Sequence, residues 1–305
     1  MTSRSYAIYD VFTDTPLSGN PLAVVFDGDG LDGGQMQRIA AEFNLSETVF
    51  VQPPDNPLHT ARIRIFTPRH ELPFAGHPTV GTAIALARRN GALGDVAQSA
   101  IVVLEENVGA VRCAVNSSAA GVFAEFDLPR LPVQLDDAPP AEAVAAALGL
   151  SHHELGFENH KLSLWSAGVP FVLVPVADLG AAGRARANAV LWEELAPFHD
   201  GVRAEAYIYC RETVGHENAF HARMLAPLSG IDEDPATGSA AAAFAGAINS
   251  FDAPVDGAHQ FWIEQGLEMG RPSHIRLEMD IKGGNIEAAR IGGGAVQIAT
   301  GTLDL

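Results

Sequence analysis

Two stretches of the chain combine the residue types needed to hold a small acid and move a proton on it. The first is Phe74-Ala75-Gly76-His77-Pro78-Thr79-Val80-Gly81, and the second is Glu233-Asp234-Pro235-Ala236-Thr237-Gly238-Ser239-Ala240. Each sets a polar side chain, a Pro and a Gly into a tight turn, then runs into an Ala-rich helical segment. A turn feeding a helix leaves N–H groups exposed at the positive end of the helix dipole. That makes a ready anion site. Two such turns in one chain point to two half-sites facing one small acidic molecule.

Within these stretches each candidate side chain has a structural and a chemical reading. His77 either finishes its turn and caps the helix, or donates to a carboxylate or developing enolate beside the helix N–H groups. A helix N-terminus disfavours imidazolium, so a neutral ring is expected there. Asp234, Thr237 and Ser239 are all good N-caps, but capping accounts for one of the three and not for the cluster. The acidic run Asp232-Glu233-Asp234 also suits a helix start on electrostatic grounds alone. Outside both turns, Glu47 opens a strand directly after a helix end. It is either a solvated surface acid or, desolvated by Leu45, Val49 and Phe50, a general base with a raised pKa. Other motifs carry less. His152-His153-Glu154 reads as a surface turn without a third metal ligand. Gly28-Asp29-Gly30 lacks the spacing of a dinucleotide loop, and neither focal turn holds a lysine for a Schiff base. No metal and no cofactor are expected.

These residues need elements to place them. Segments 6–12 and 23–26 read as strands around the turn-rich loop 14–21. Asp32 opens a helix whose Met36, Ile39, Ala40 and Phe43 form one apolar face; Asn44-Leu45-Ser46 ends it. Strands follow at 47–51 and 59–66, then the first focal turn and a helix to about Arg89, stopped by Asn90-Gly91. Strands are expected at 100–104, 110–115 and 121–126, and Pro-rich 129–140 reads as a linker. Beyond it the pattern predicts helices at 141–148 and 189–196, strands at 162–165, 171–176, 206–210 and 219–225, a helix at 239–248, and strands from 261 onward. The two halves echo each other. Gly19-Asn20-Pro21 before a strand matches Gly168-Val169-Pro170. Arg64-Ile65-Phe66-Thr67-Pro68 before the first turn matches Arg223-Met224-Leu225-Ala226-Pro227 before the second. The ordered set implies a duplicated unit, with a ligand site between two lobes at 1–128 and 129–305, the last strand able to return to the first lobe.

Composition narrows the partners. A chain of 305 residues exceeds one core of typical size, so two domains are expected. A net charge of −18 and a pI near 4.9 oppose binding to nucleic acid or anionic membrane. An anionic substrate must then be held by local N–H groups and a few cations. No apolar leader follows Met1 and no apolar run is long enough to span a bilayer. The two cysteines, Cys113 and Cys210, show no ligand spacing and fit a reducing cytoplasm.

Taken together, the residues resemble the PhzF-like isomerases, a family named for a phenazine biosynthesis enzyme. The matching stretches are Ser18-Gly19-Asn20-Pro21-Leu22-Ala23-Val24-Val25, Glu42-Phe43-Asn44-Leu45-Ser46-Glu47-Thr48, Phe66-Thr67-Pro68 with Glu71-Leu72-Pro73-Phe74-Ala75-Gly76-His77-Pro78-Thr79, Asp234-Pro235-Ala236-Thr237-Gly238-Ser239-Ala240, and Gln265-Gly266-Leu267-Glu268-Met269-Gly270-Arg271-Pro272-Ser273. The resemblance implies an α+β, diaminopimelate-epimerase-like fold: two pseudo-symmetric lobes, each a mostly antiparallel sheet wrapped around a central helix. It implies Glu47 as the acid/base, assisted by His77, Asp234 and Ser239. Asn20, Ser46, Gly76, Pro78, Thr237 and Gly238 are expected to line the substrate. No cofactor is implied, and a homodimer is. The epimerase cousins use one cysteine per lobe, whereas both focal turns here lack one. The expectation is therefore a proton shift on a small unsaturated carboxylate, dihydro-hydroxyanthranilate-like. The alternatives are an epimerase or racemase of an amino-acid-like substrate, or a non-catalytic carboxylate-binding protein.

Overall fold

The computed structural model describes residues 3–93, 98–119, 121–136, 138–228 and 231–305. The chain divides into two compact units, Met1–Pro129 with Gly292–Leu305, and Arg130–Ile291. Nineteen strands stand against six α-helices among the described residues, so the fold is sheet-dominated. No helix among them is long and apolar enough to cross a membrane.

The first unit holds β1 (Ser3–Val11), β2 (Asn20–Val25), α1 (Gly33–Phe43), β3 (Glu47–Gln52), β4 (Ala61–Phe66), β5 (Glu71–Leu72), α2 (Gly76–Arg89), β6 (Gln98–Glu106), β7 (Gly109–Ser118) and β8 (Gly121–Asp127). β1 pairs antiparallel with β2, β2 lies parallel to β3, β3 pairs antiparallel with β4, and β4 pairs antiparallel with β5 and parallel with β6. Helix α1 forms where the apolar spacing predicts it. Asp32 and Gln35 close a reciprocal capping box, Met36, Ile39 and Ala40 are buried, and Asn44 ends the helix in the left-handed conformation. That face packs on Val25, Phe50 and Phe66. Helix α2 is different, because Gly76 through Ala87 are all buried. A helix buried all round cannot show one apolar stripe. Its residues are small so that strands can close on it. A Cβ at Gly81 would lie 2.6 Å from a Leu22 methyl and 2.7 Å from a Val11 methyl.

The second unit holds β9 (Val133–Leu135), α3 (Ala141–Ala147), a 3-10 turn at His152–Glu154, β10 (Ser163–Ser166), β11 (Pro170–Pro175), α4 (Leu179–Arg184), α5 (Ala189–Leu195), β12 (Phe198–His199), β13 (Val202–Arg203), β14 (Glu205–Cys210), β15 (Phe220–Leu225), β16 (Glu233–Asp234), α6 (Gly238–Asp252), β17 (Gly257–Gln265) and β18 (Ser273–Lys282). The long last strand β19 (Asn285–Asp304) has residues in both units, and its end pairs with β1. The order of pairings repeats that of the first unit. β10 is antiparallel to β11, β11 parallel to β14, and β14 antiparallel to β15; β15 is antiparallel to β16 and parallel to β17. Helix α6 is again small-residued and buried from Ala240 to Ile248. Helices α3, α4 and α5 pack their Val144, Ala182 and Trp192 against Val172, Val174 and Ile208 of the sheet.

Besides the two-residue strands β5, β12, β13 and β16, three segments differ from the expectation. The Pro-rich stretch read as a linker contains β9, which pairs antiparallel with β10. Three residues between prolines are too few to show an alternation. Helix α4 was not expected; its six residues are held by an Asp178 N-cap that accepts from Ala181 N–H at 2.7 Å. The tail strands begin at Gly257 rather than at Phe261.

Candidate active site

Three elements of the first unit bring Asn20, Glu47 and His77 together. Gly19 turns the chain into β2 at a φ of +66°, where a Cβ would lie 2.3 Å from the Val11 carbonyl oxygen, so only glycine serves. Asn20 then opens β2, and its side chain is fully buried. Parallel pairing sets Leu22 opposite Glu47 at the start of β3. His77 is the second residue of α2. Asn20 Nδ2 lies 3.2 Å from His77 Nδ1, and His77 Nε2 lies 3.1 Å from Glu47 Oε2.

These distances fix the ring. An amide nitrogen can only donate, so Nδ1 accepts and the proton of a neutral imidazole sits on Nε2. That nitrogen lies 3.1 Å from Glu47 Oε2, close to the carboxylate but without an aligned hydrogen bond. The ring is neutral because burial pushes its pKa down to about 3. The sequence argument reached a neutral ring from the helix dipole, whereas desolvation is the cause in the structure. It also gave the ring N–H to the substrate's charge, and Nε2, 3.1 Å from Glu47 Oε2, makes no hydrogen bond among the described residues. The His77 side chain is 5 % exposed and that of Glu47 is 16 % exposed, so Glu47 keeps the contact with solvent that a base needs. Gly76 and Pro78 flank His77 in the first turn of α2. Ser46 is half-buried beside Glu47.

The second unit builds a separate cluster on Asp234. Thr237 Oγ1 donates to Asp234 Oδ2 at 2.5 Å. Gln265, fully buried at the end of β17, donates from Nε2 to the Asp234 carbonyl at 2.8 Å and to Thr237 Oγ1 at 3.1 Å. Its Oε1 accepts from Thr237 N–H at 3.3 Å. Gly266 follows at a φ of +79°, and a Cβ there would lie 2.6 Å from the Pro235 carbonyl oxygen. That is why a glycine must follow Gln265 at this turn. Gly238 starts α6 and half-buried Ser239 is its second residue.

The capping reading of both turns does not hold. Thr237 occupies the N-cap of α6, but its hydroxyl is spent on Asp234, and Ala75 occupies the N-cap of α2. Among the described residues neither helix start has a side-chain cap bond. Their first-turn N–H groups therefore keep the anion-binding character expected of them. Each unit also carries an Arg–Glu fork below its turn. Arg64 Nε and Nη2 reach the two Glu71 oxygens at 2.8 and 2.6 Å, and Arg223 reaches Glu233 the same way at 2.9 and 2.8 Å.

Gln265 and the Thr79–Glu106 pair were given no role from sequence. Cys113 and Cys210 lie on β7 and β14 as buried thiols, and burial pushes the Cys210 thiol up to about 12 and that of Cys113 further. Neither is a thiolate available for proton transfer. Among the described residues no group of three or more His, Cys, Asp or Glu is placed to hold a metal ion.

Comparison with known proteins shows what the chain is similar to. A family model described as phenazine biosynthesis-like protein, PhzC-PhzF, matches residues 9–301. An uncharacterized isomerase of Mesorhizobium japonicum is 61% identical over 304 residues, covering 99% of each chain. The trans-2,3-dihydro-3-hydroxyanthranilate isomerase of Pseudomonas chlororaphis is 35% identical over 301 residues, covering 98% of this chain and 99% of that one. The crystal structure of a PhzF-family phenazine biosynthesis protein from Bacillus anthracis superposes with a TM-score of 0.88 at 26% identity, covering 100% of both chains.

Proposed function

The chain belongs to the PhzC-PhzF family of phenazine biosynthesis-like proteins and is an isomerase of that family, and from that premise we propose that it shifts a proton between two carbons of a small unsaturated carboxylate without a cofactor. The observation that carries this reading is the Glu47–His77 contact of 3.1 Å, with Asn20 holding the ring on its far side. The Glu47 carboxylate takes a proton from an activated C–H. The electron pair moves into the adjoining π system and the charge comes to rest on the substrate's carboxylate side. Glu47 then returns the same proton to a second carbon, so no atom is gained or lost and the double bond moves. His77, neutral throughout, keeps Nε2 3.1 Å from Glu47 Oε2 without an aligned hydrogen bond, so the ring packs beside the base and positions it while its N–H stays available to the charge that develops on the substrate; it exchanges no proton. Asp234 and Ser239 assist, and Thr237, Gly238, Gly76, Pro78, Asn20 and Ser46 line the substrate; the uncapped helix starts support that part. The repeated strand pairing and the repeated Arg–Glu fork support reading the units as two pseudo-symmetric lobes of a diaminopimelate-epimerase-like fold. A cytoplasmic homodimer fits the same family reading. The buried, protonated thiols disfavour a two-cysteine racemase.

The test is Glu47→Gln assayed on trans-2,3-dihydro-3-hydroxyanthranilate and related cyclic carboxylates. We expect a loss of turnover of about a thousandfold or more for removal of a general base with the fold retained. A Glu47→Gln enzyme that runs at near wild-type rate would show the base to be elsewhere. Heavy water separates the reaction classes: an epimerase inverts one labelled stereocentre, whereas the shift moves a double bond.

A further inference from the structure

Glu106 ends β6 on the core side of the strand, in step with buried Val102 and Leu104. Its neighbour Glu105 points the other way and meets His59 at 2.8 Å and the N–H groups of Asp55 and Asn56 at 2.7 and 2.8 Å. Glu106 has no such company. Its Oε1 lies 2.8 Å from Thr79 Oγ1, and the same hydroxyl lies 2.8 Å from the Ala75 carbonyl oxygen. Its Oε2 is sealed from solvent with no hydrogen-bond partner among the described residues.

Counting protons decides the state of this group. A threonine hydroxyl has one proton to donate, and a backbone carbonyl can only accept. With an ionised Glu106, both neighbours of Thr79 Oγ1 would be acceptors, and one short contact would set lone pair against lone pair. A buried carboxylate would also keep one oxygen unsolvated and unpaired, which is costly. A proton on Glu106 Oε1 resolves both conflicts. Oε1–H donates to Thr79 Oγ1, Thr79 donates to Ala75 O, and Oε2 becomes an ordinary neutral carbonyl oxygen. Burial drives the same way, raising the pKa of this carboxyl to about 8.

We propose that Glu106 is a positioning residue held as a neutral carboxylic acid, whose proton locks the Ala75–Thr79 turn and so aims His77 at Glu47. The proposal rests on the reading of Glu47 as the base with His77 positioned beside it. The ionisable residues on the elements packed around Glu106 are His77, Arg88 and Arg89 on α2, Arg62 and Arg64 on β4, Arg112 and Cys113 on β7, and Glu125 and Asp127 on β8. Arg62 and Arg64 are engaged by Asp55 and Glu71, and Arg112 by Asp127. The Cys113 thiol is the group that feels Glu106 electrostatically, and it stays protonated. Among the described residues no charged group compensates the charge when Glu106 ionises. Between its unfolded value near 4.5 and about 8 the native unit binds the extra proton. Over that window the folded-to-unfolded ratio falls by up to about tenfold per pH unit, and it levels off above it.

Glu106→Gln, Glu106→Ala and Thr79→Val test this in the full chain. The infrared difference between wild type and Glu106→Gln at neutral pH should contain a protonated-carboxyl C=O band, which gives way to carboxylate as pH rises past about 8. Ring nitrogen NMR of His77 supplies the readout of position. Glu106→Gln, neutral at every pH and still a donor to Thr79, should keep the wild-type His77 signals on the alkaline side where wild type loses them. Glu106→Ala and Thr79→Val should shift them at all pH values and lower kcat by up to about a hundredfold. Only a carboxylate band at neutral pH, or equal His77 shifts in Glu106→Gln and Glu106→Ala, would overturn the proposal. Should Glu106→Ala fail to fold, Thr79→Val takes its place in that comparison. Both spectroscopic readouts stand without a substrate, so a failed isomerase assay refutes the functional reading alone.

Discussion

Replacing His221 by Gln should cost stability in a way that depends on pH. His221 is 1 % exposed on β15, with Nδ1 3.0 Å from Glu264 Oε1 and Nε2 3.0 Å from Glu268 Oε1. Both ring nitrogens face carboxylate oxygens, so both must carry hydrogen and the ring is an imidazolium. Burial opposes that charge, but the hydrogen bonds to Glu264 and Glu268 outweigh it and raise the pKa to about 9. Burial likewise works against the Glu264 carboxylate. His221, the N–H groups of Val214 and Gly215, and Asn218 overcome it and hold its pKa down to about 2. A rise from 6.5 to about 9 is worth about 3 kcal/mol. The Glu264 shift reports the same pair from its other end and adds nothing to that figure.

The sign follows from where the protons sit. The folded pKa of His221 lies above the unfolded one, so its contribution is complete below 6.5, declines through the interval and is gone above about 9. Glu264 sets the acid edge, with a contribution complete above 4.5 and lost as pH falls through about 2. Urea unfolding of wild type and His221→Gln should therefore differ by about 3 kcal/mol near pH 6 and by far less near pH 10. Trp165, Trp192 and Trp262 all lie in the second unit, so tryptophan fluorescence follows the unit that holds His221. The titration of Glu106 is present in both proteins and cancels from the difference. A stability difference that stays constant from pH 6 to 10 would refute a charged imidazole and leave only packing. The network also bears on the site, because Glu264 immediately precedes Gln265, which clamps Asp234 and Thr237.

Two further outcomes can be checked directly. The His77 ring should show no protonation step between pH 5 and 7 by NMR, since burial holds its pKa near 3, and a midpoint near 6.5 would contradict the neutral assignment. Gln265→Met keeps the bulk but leaves the Asp234 carbonyl and the Thr237 N–H without their partner, so it should destabilise the second unit by about 2–4 kcal/mol in urea titrations. A change under about 0.5 kcal/mol would place the clamp's bonds elsewhere.

Elements with a period are legible in the sequence. Helix α1 follows from Met36, Ile39 and Ala40, and α2 from a polar turn at one end and Asn90-Gly91 at the other. What escaped was short or aperiodic. β5 and β16 are two residues each, too brief for an alternation, yet β16 carries Asp234. Glu47 and His77 were nameable through the family resemblance. Their meeting was not, because it depends on the parallel register that sets Leu22 against Glu47 and on the neighbouring start of α2. Spacing along the chain encodes neither.

The buried ionisable groups show where composition misleads. A count of charged residues treats Glu105 and Glu106 alike, yet strand alternation sends one to a histidine and two backbone N–H groups and the other into a dry interior. The parity of Val102, Leu104 and Glu106 was the available signal, and it needed the burial of alternate residues to be taken as seriously for a glutamate as for a valine. The same count takes Glu106 as ionised and His221 as neutral, and the structure reverses both. Each reversal makes the formal charge of −18 less negative by one at neutral pH. Both groups are inside, so the surface field that repels polyanions is hardly altered. The reversals act locally, one on the turn that carries His77 and the other on the strand end that carries Gln265. Each of the two clusters is thus backed by a buried group in its less common protonation state, and the pH profiles of the two clusters should fail at different places.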